Sequence, residues 1–162
     1  MLAILVVSTN QVIWLKYSLY SFILAVGLLG CIESVEHDPA GAGKKAEEFA
    51  QLVFVKQDIE NGYALLADGA KRYVSLDQFK KVLAKLHPRA YPKNVRATEY
   101  EPMAGEKAIY IFLIGENSGE RFYYRLTLEG TATTPYKVLR LDRASEPYPP
   151  SSEKKSLGGQ PG

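Results

Sequence analysis

Phe122-Tyr-Tyr-Arg-Leu-Thr-Leu-Glu129 alternates without a break. Phe122, Tyr124, Leu126 and Leu128 occupy one set of positions, and Tyr123, Arg125, Thr127 and Glu129 the other. Side chains along a strand point to opposite faces in turn, so this is a half-buried antiparallel strand with one wet side. Before it, Glu116-Asn-Ser-Gly-Glu120 has turn composition. Ala108 to Ile114 is apolar on both alternating sets, which predicts a central strand covered on both faces. Val95 to Met103 predicts a further strand with Pro102 at its end. Thr131 to Pro135 turns the chain again, and Tyr136 to Leu141 closes the meander, with Val138 facing the core and Leu139 and Leu141 on the other side. The second half of the chain is therefore expected to form an antiparallel sheet of about four strands.

The period changes before Pro92. Ala46, Phe49, Ala50, Leu52 and Val53 recur at helical spacing behind Glu47 and Glu48, which suit a helix N-terminus, and predict a first helix running to about Lys56. Asp58 can cap a second, shorter helix bearing Ile59, Tyr63 and Leu66, with Gly69 as its stop. A third helix is marked by the capping-box spacing of Ser75 and Gln78, a staple of Val74 on Phe79, and an apolar stripe through Leu76, Phe79, Val82, Leu83 and Leu86 that ends before Pro88. Three helices followed by a curved antiparallel sheet is an α+β layout, with the helices on one face.

The order of these phrases, Asp58-Ile-Glu-Asn-Gly-Tyr63-Ala-Leu-Leu66, then Ser75-Leu-Asp-Gln-Phe79, then long strands closing on Pro135-Tyr136-Lys137-Val138, resembles the nuclear-transport-factor-two-like superfamily over residues 44–143. Tyr136 stands where that family usually has a tryptophan. The resemblance implies a cone-like fold whose open end holds a small molecule in some members, a few of them isomerases. Those members use an aspartate base, and the strand region here has no aspartate before Asp142, so the resemblance transfers no catalytic set. Tyr110 and Tyr124, which lie within long strands, are the candidate pocket residues.

The front of the chain has another character. Residues 1–32 carry one charge, Lys16, and the run from Tyr17 to Ile32 is uncharged. A cationic start, a short apolar segment and small residues at its end form the pattern of a secretory signal. Leu28-Leu29-Gly30-Cys31 resembles the bacterial lipoprotein lipobox. The resemblance implies lipid on the Cys31 thiol, cleavage between Gly30 and Cys31, and a membrane anchor of two or three acyl chains, which holds a small domain stably where one chain does not. Leu29 departs from the pattern, which more often has Ala or Ser there. Because Lys16 sits mid-way through residues 1–30, residues 1–14 are read as a mis-assigned start upstream of Leu15. The rival reading is an uncleaved single span, in which Ser8, Thr9, Asn10, Gln11 and Lys16 would be poor guests. Ile32 lacks the aspartate of inner-membrane retention, which points to the outer membrane in an organism that sorts this way.

Residues 31–43 read as the lipidated cysteine and a tether with Pro39, Gly41 and Gly43, in which His37 is a spacer residue. Residues 144–162, rich in Pro and Gly, read as a disordered tail. Between them, residues 44–143 make one domain. The whole chain, with 20 basic and 18 acidic residues and 46% hydrophobic content, is an ordinary globular composition, and its net charge of +2 disfavours a nucleic-acid partner. The one cysteine excludes an intramolecular disulfide and a zinc site of several thiolates. His37 and His87 lie too far apart in sequence to suggest a metal site, and His87 reads as a partly exposed residue at the end of the third helix. No cofactor motif is present.

One pattern exceeds composition. Residues 71–96 hold eight basic residues against Asp77 alone, a local charge of +7. Lys80, Lys81 and Lys85 lie opposite the apolar stripe of the third helix and form a candidate surface for anionic lipid, an anionic envelope polymer or an acidic protein patch. Tyr123 and Thr127 offer a sheet face through which two copies could pair. The expectation is an exported, membrane-anchored, periplasm-facing lipoprotein serving as a non-catalytic binding or accessory module. The alternatives are a hydrophobic-ligand protein or isomerase using the cone, and a single-span membrane protein.

Overall fold

The computed structural model describes residues 35–158. The signal reading, with Gly30 and Cys31, lies outside the described residues.

Helix α1, Pro39–Ala50, begins where the tether was expected to continue. Asp38 accepts a hydrogen bond from the Gly41 N–H, and Pro39 takes the first helical position, where its missing N–H costs nothing. The expected tether over residues 31–43 is thus overturned from Pro39 onward. The glycines and alanines are there for close approach: Ala42 and Gly43 are buried, and a Cβ on Gly43 would stand 3.1 Å from a methyl of Leu157. Even Glu36, His37 and Asp38 are bonded to the domain.

A π-helical turn, Gln51–Val55, extends α1 and puts Val53 and Phe54 into the core. Asp58 caps α2, Ile59–Ala64, through the Asn61 N–H. Gly62 lies so close to Val53 that a Cβ would overlap its Cγ2 methyl. Gly69 does not stop this helix; it lies inside a separate helix, α3, Asp68–Tyr73. The break between α2 and α3 is made by the sheet. Val138 donates to the Leu65 carbonyl and accepts from the Ala67 N–H, bridging Leu66 to the sheet edge. Helix α4, Leu76–Leu86, has the predicted capping box on Ser75 and Gln78, and buries Phe79 and Leu83. Val82 departs from the expected stripe and is 44% exposed. There are four α-helices among the described residues, where the sequence suggested three.

Strands β1 (Asn94–Pro102), β2 (Ala108–Asn117), β3 (Glu120–Thr131), β4 (Thr134–Ala144) and β5 (Lys155–Ser156) form one antiparallel sheet in the order β4-β3-β2-β1-β5. The fold is α+β, with five strands where about four were expected. The fifth comes from the segment read as a disordered tail: Lys155 and Ser156 pair with Tyr100 and Glu99. The β2–β3 connection is a two-residue turn with positive φ at Ser118 and Gly119, the combination that matches the twist of a hairpin.

The parity read in β3 holds, but its outer side is not wet throughout, since Thr127 is 7% exposed. Phe122, Tyr124, Leu126 and Leu128 are all buried on the face that α1 crosses. In β4 the expected parity fails after Val138. Leu128 pairs with Val138 but Thr127 with Arg140, so Leu139 is an extra, bulged residue, 40% exposed. The bulge returns Leu141, expected on the other face, to the core side, opposite Leu126. A second bulge at Thr98 shifts β1 so that Ala97 and Tyr100 both face inward.

Candidate functional site

The two tyrosines chosen as pocket residues are on opposite faces of the sheet. Tyr124 lies on the inner face, fully buried, with its ring stacked on Phe54 at a centroid distance of 4.6 Å. Tyr110 lies on the outer face beside Arg125, whose guanidinium is 4.9 Å from its ring centroid. They cannot line one pocket. The cause is β2, whose two alternating sets are both apolar, so that its parity could not be read from sequence.

His87 completes the inner group. It is 4% exposed, where the sequence suggested a partly exposed helix-end residue. Its ring lies among Phe54, Tyr91 and Phe122 at centroid distances of 4.9, 4.5 and 5.8 Å. Nδ1 is 3.1 Å from the Ala90 carbonyl, which can only accept, so the proton sits on Nδ1. Nε2 is then free to accept from the Tyr124 hydroxyl at 3.2 Å. Burial pushes the His87 pKa down to about 4, helped by the nearby Arg143 charge and opposed by the Ala90 hydrogen bond. Burial likewise raises the Tyr124 hydroxyl pKa well above the ordinary phenol value. Both groups are neutral at pH 7, and each satisfies the other. The chemistry available is a neutral core hydrogen bond.

The outer face holds charge. Asp142 accepts from Arg125 at 3.1 Å and pairs with Arg140 at 2.9 Å. Arg125 lies between the rings of Tyr110 and Tyr148. The segment from Ser145 to Gly158 crosses this face as a strap. Lys154 latches it: its ammonium sits 4.2 Å from the Phe112 ring centroid and donates to the Tyr148 and Pro149 carbonyls at 3.2 and 2.7 Å. Glu99 lies 3.7 Å away, and the Lys154 side chain is only 5% exposed. The Pro and Gly content suggested disorder, whereas the order comes from contacts with residues more than twenty positions earlier, which composition does not register. Tyr123 remains half-exposed, while Thr127, offered with it as a pairing face, is 7% exposed.

The basic helix is as predicted in exposure. Lys80, Lys81 and Lys85 all point to solvent on α4. Lys80 lies 3.6 Å from Glu60, while no carboxylate among the described residues is in ion-pair range of Lys81 or Lys85. Sequence reasoning missed an open groove of about 750 Å³ between α3 and the turns that flank β2 and β4. Its charges are balanced: Arg72, Lys107 and Lys137 against Asp68, Glu106 and Glu129, with Lys137 and Asp68 paired at 3.3 Å. Among the described residues, no three His, Cys, Asp or Glu side chains gather where they could hold a metal ion. Comparison with protein-family models, with curated proteins and with solved structures found no match to the chain.

Proposed function

We propose that the chain is an exported bacterial lipoprotein, anchored by lipid on Cys31, whose α+β domain is a non-catalytic binding or accessory module of the cell envelope. The observation that carries the non-catalytic part is the packing of the inner face. Phe54, Tyr124 and His87 pack together on that face, and the imidazole and the hydroxyl of the pair are engaged with each other and with the Ala90 carbonyl. This weighs against the ligand-cone alternative and leaves the solvent-facing cations of α4 as the surface of recognition, suited to an anionic envelope component. The anchor rests on Leu28-Leu29-Gly30-Cys31. The likeness to nuclear-transport-factor-two-like domains is supported by element order alone, helices first and a long-stranded meander after them.

Mass spectrometry of the protein purified from its own membranes tests the anchor: the expected N-terminus is an acylated Cys31, and an intact, unmodified chain through Met1 would instead support the single-span reading. Reversing Lys80, Lys81 and Lys85 to glutamate tests the surface. Retention on envelope material should be lost while the fold, read by circular dichroism, is kept; undiminished retention would exclude this face.

A further inference from the structure

The meander has two distinct ends. At one lie the β1–β2 turn, the β3–β4 turn and the start of α1; at the other lie the β2–β3 turn, the C-terminus of α4 and residues 87–93. The chain enters the domain at the first end and is clasped there. The Glu36 carbonyl accepts from the Ala132 N–H at 2.9 Å, in the β3–β4 turn. His37 Nε2 donates to the Glu106 carbonyl at 3.1 Å, in the β1–β2 turn, and the Asp38 N–H donates to the Tyr136 hydroxyl at 2.8 Å. The tether available between Cys31 and the domain is therefore Ile32 to Val35, not the twelve residues that composition suggested.

That shortening sets an orientation. Five residue steps separate Cys31 from Glu36, which at full extension span about 17 Å. Strand β3, whose 12 residues run between the two ends, is about 36 Å long. We infer that the domain stands on the bilayer with the turns at Ala104–Lys107 and Ala132–Thr133 against the headgroups, and holds its basic end, with Lys85, Arg89 and Lys93, away from the anchoring membrane. This rests on the lipid anchor at Cys31. The charges at the two ends agree with it. The clasped end carries the balanced groove of three cations and three carboxylates, which neither repels nor strongly attracts a headgroup layer. Of the cationic run, Arg72 belongs to this groove, whereas Lys85, Arg89, Lys93 and Arg96 lie towards the other end, which the length of β3 separates from the clasped end by more than a Debye length of about 8 Å at physiological salt. Their partner is then an anionic component lying beyond the bilayer that holds the anchor.

The test uses the full lipidated protein in vesicles of phosphatidylcholine and phosphatidylglycerol that carry a headgroup-attached quencher. A fluorophore is placed in turn on Thr133→Cys, Lys81→Cys and Glu120→Cys, since acylation occupies the thiol of Cys31, the chain's one natural cysteine. Strong quenching at position 133 with little at 81 and 120 is expected. Equal quenching at 81 or 120 would show a domain lying flat on its basic face and overturns the orientation while leaving the anchor intact. Failure of the protein to float with the vesicles, together with no acyl mass on Cys31, removes the anchor reading and the orientation with it. A Gly-Ser spacer of about twenty residues between Ile32 and Glu33 should equalise the three sites; a difference that survives the spacer would mean that the short tether is not what orients the domain.

Discussion

The two faces of strands β2 and β3 are both covered, but by different means. Inside, the π-helical turn Gln51–Val55 and residues 87–91 close over Tyr124 with aromatic rings and one neutral hydrogen-bonded pair. Outside, a strap from the end of the chain closes over Phe112 with a lysine, and an arginine is held between two tyrosines. The inner cover excludes water and tolerates no charge; the outer one keeps its charges because carbonyls, carboxylates and ring faces surround them. The inner group should therefore respond strongly to lost volume and to protonation, and the outer group weakly to either.

The largest effect is expected at Tyr124. Truncation to alanine removes a fully buried ring and leaves His87 without its donor, a loss of about 3–5 kcal/mol in unfolding free energy. The urea midpoint would fall by the same reckoning, and a change below about 1 kcal/mol would mean that the inner face can collapse around the void. The next is pH dependence. His87 has a folded pKa of about 4 against 6.5 for the free side chain, so the unfolded chain takes up the proton first as pH falls. Its contribution is complete above pH 6.5 and is withdrawn between 6.5 and 4, amounting to up to about 3 kcal/mol. Urea titrations across that window should show the loss, and His87→Gln should flatten this part of the profile. An unchanged slope in the variant would assign the acid sensitivity to carboxylates instead.

The same two faces explain what could be read in advance. The inner face was legible on β3, because Phe122, Tyr124, Leu126 and Leu128 alternate with polar residues, and on α4, because its cap and stripe are local. Parity on β2 was not, since Ile109 and Tyr110 are both apolar enough to be buried. The bulge at Leu139 is set by pairing with β3 and by the bridge to Leu66, neither of which leaves a trace in nearby residues. His87 looked like a helix-end residue because its partners are Ala90, three positions on, and Tyr124, thirty-seven positions on. Pro39, Gly41 and Gly43 read as a flexible tether because composition cannot distinguish small residues that confer freedom from small residues that permit contact. The outer cover was invisible for the same reason: Pro147, Pro149 and Pro150 suggest disorder until Tyr148 and Lys154 are seen against Phe112.

Breaking the outer cover should cost less. Lys154→Ala removes the ammonium over Phe112 and the two carbonyl bonds that fold the strap, but the strap keeps Tyr148 on Phe112 and Leu157 against α1. The expected loss is about 1–2 kcal/mol, with faster proteolytic cutting between Pro149 and Lys155 as its local signature. Cutting at the wild-type rate would show that the aromatic contact alone holds the strap.

The smallest effect sharpens the contrast, because it concerns the same kind of charge in water. Lys80 also has a carboxylate partner, Glu60 at 3.6 Å, a distance close to the 3.7 Å between Lys154 and Glu99. Distance does not distinguish the two pairs; cover does. The Lys80 and Glu60 side chains are 46% and 76% exposed, so solvent screens the attraction and fixing two long side chains consumes most of what is left. Lys80→Ala should shift stability by less than about 0.5 kcal/mol, and raising the salt concentration should erase even that. A larger loss would mean that the pair joins α2 to α4, and that the outward cations of α4 hold the domain together instead of remaining available to a partner.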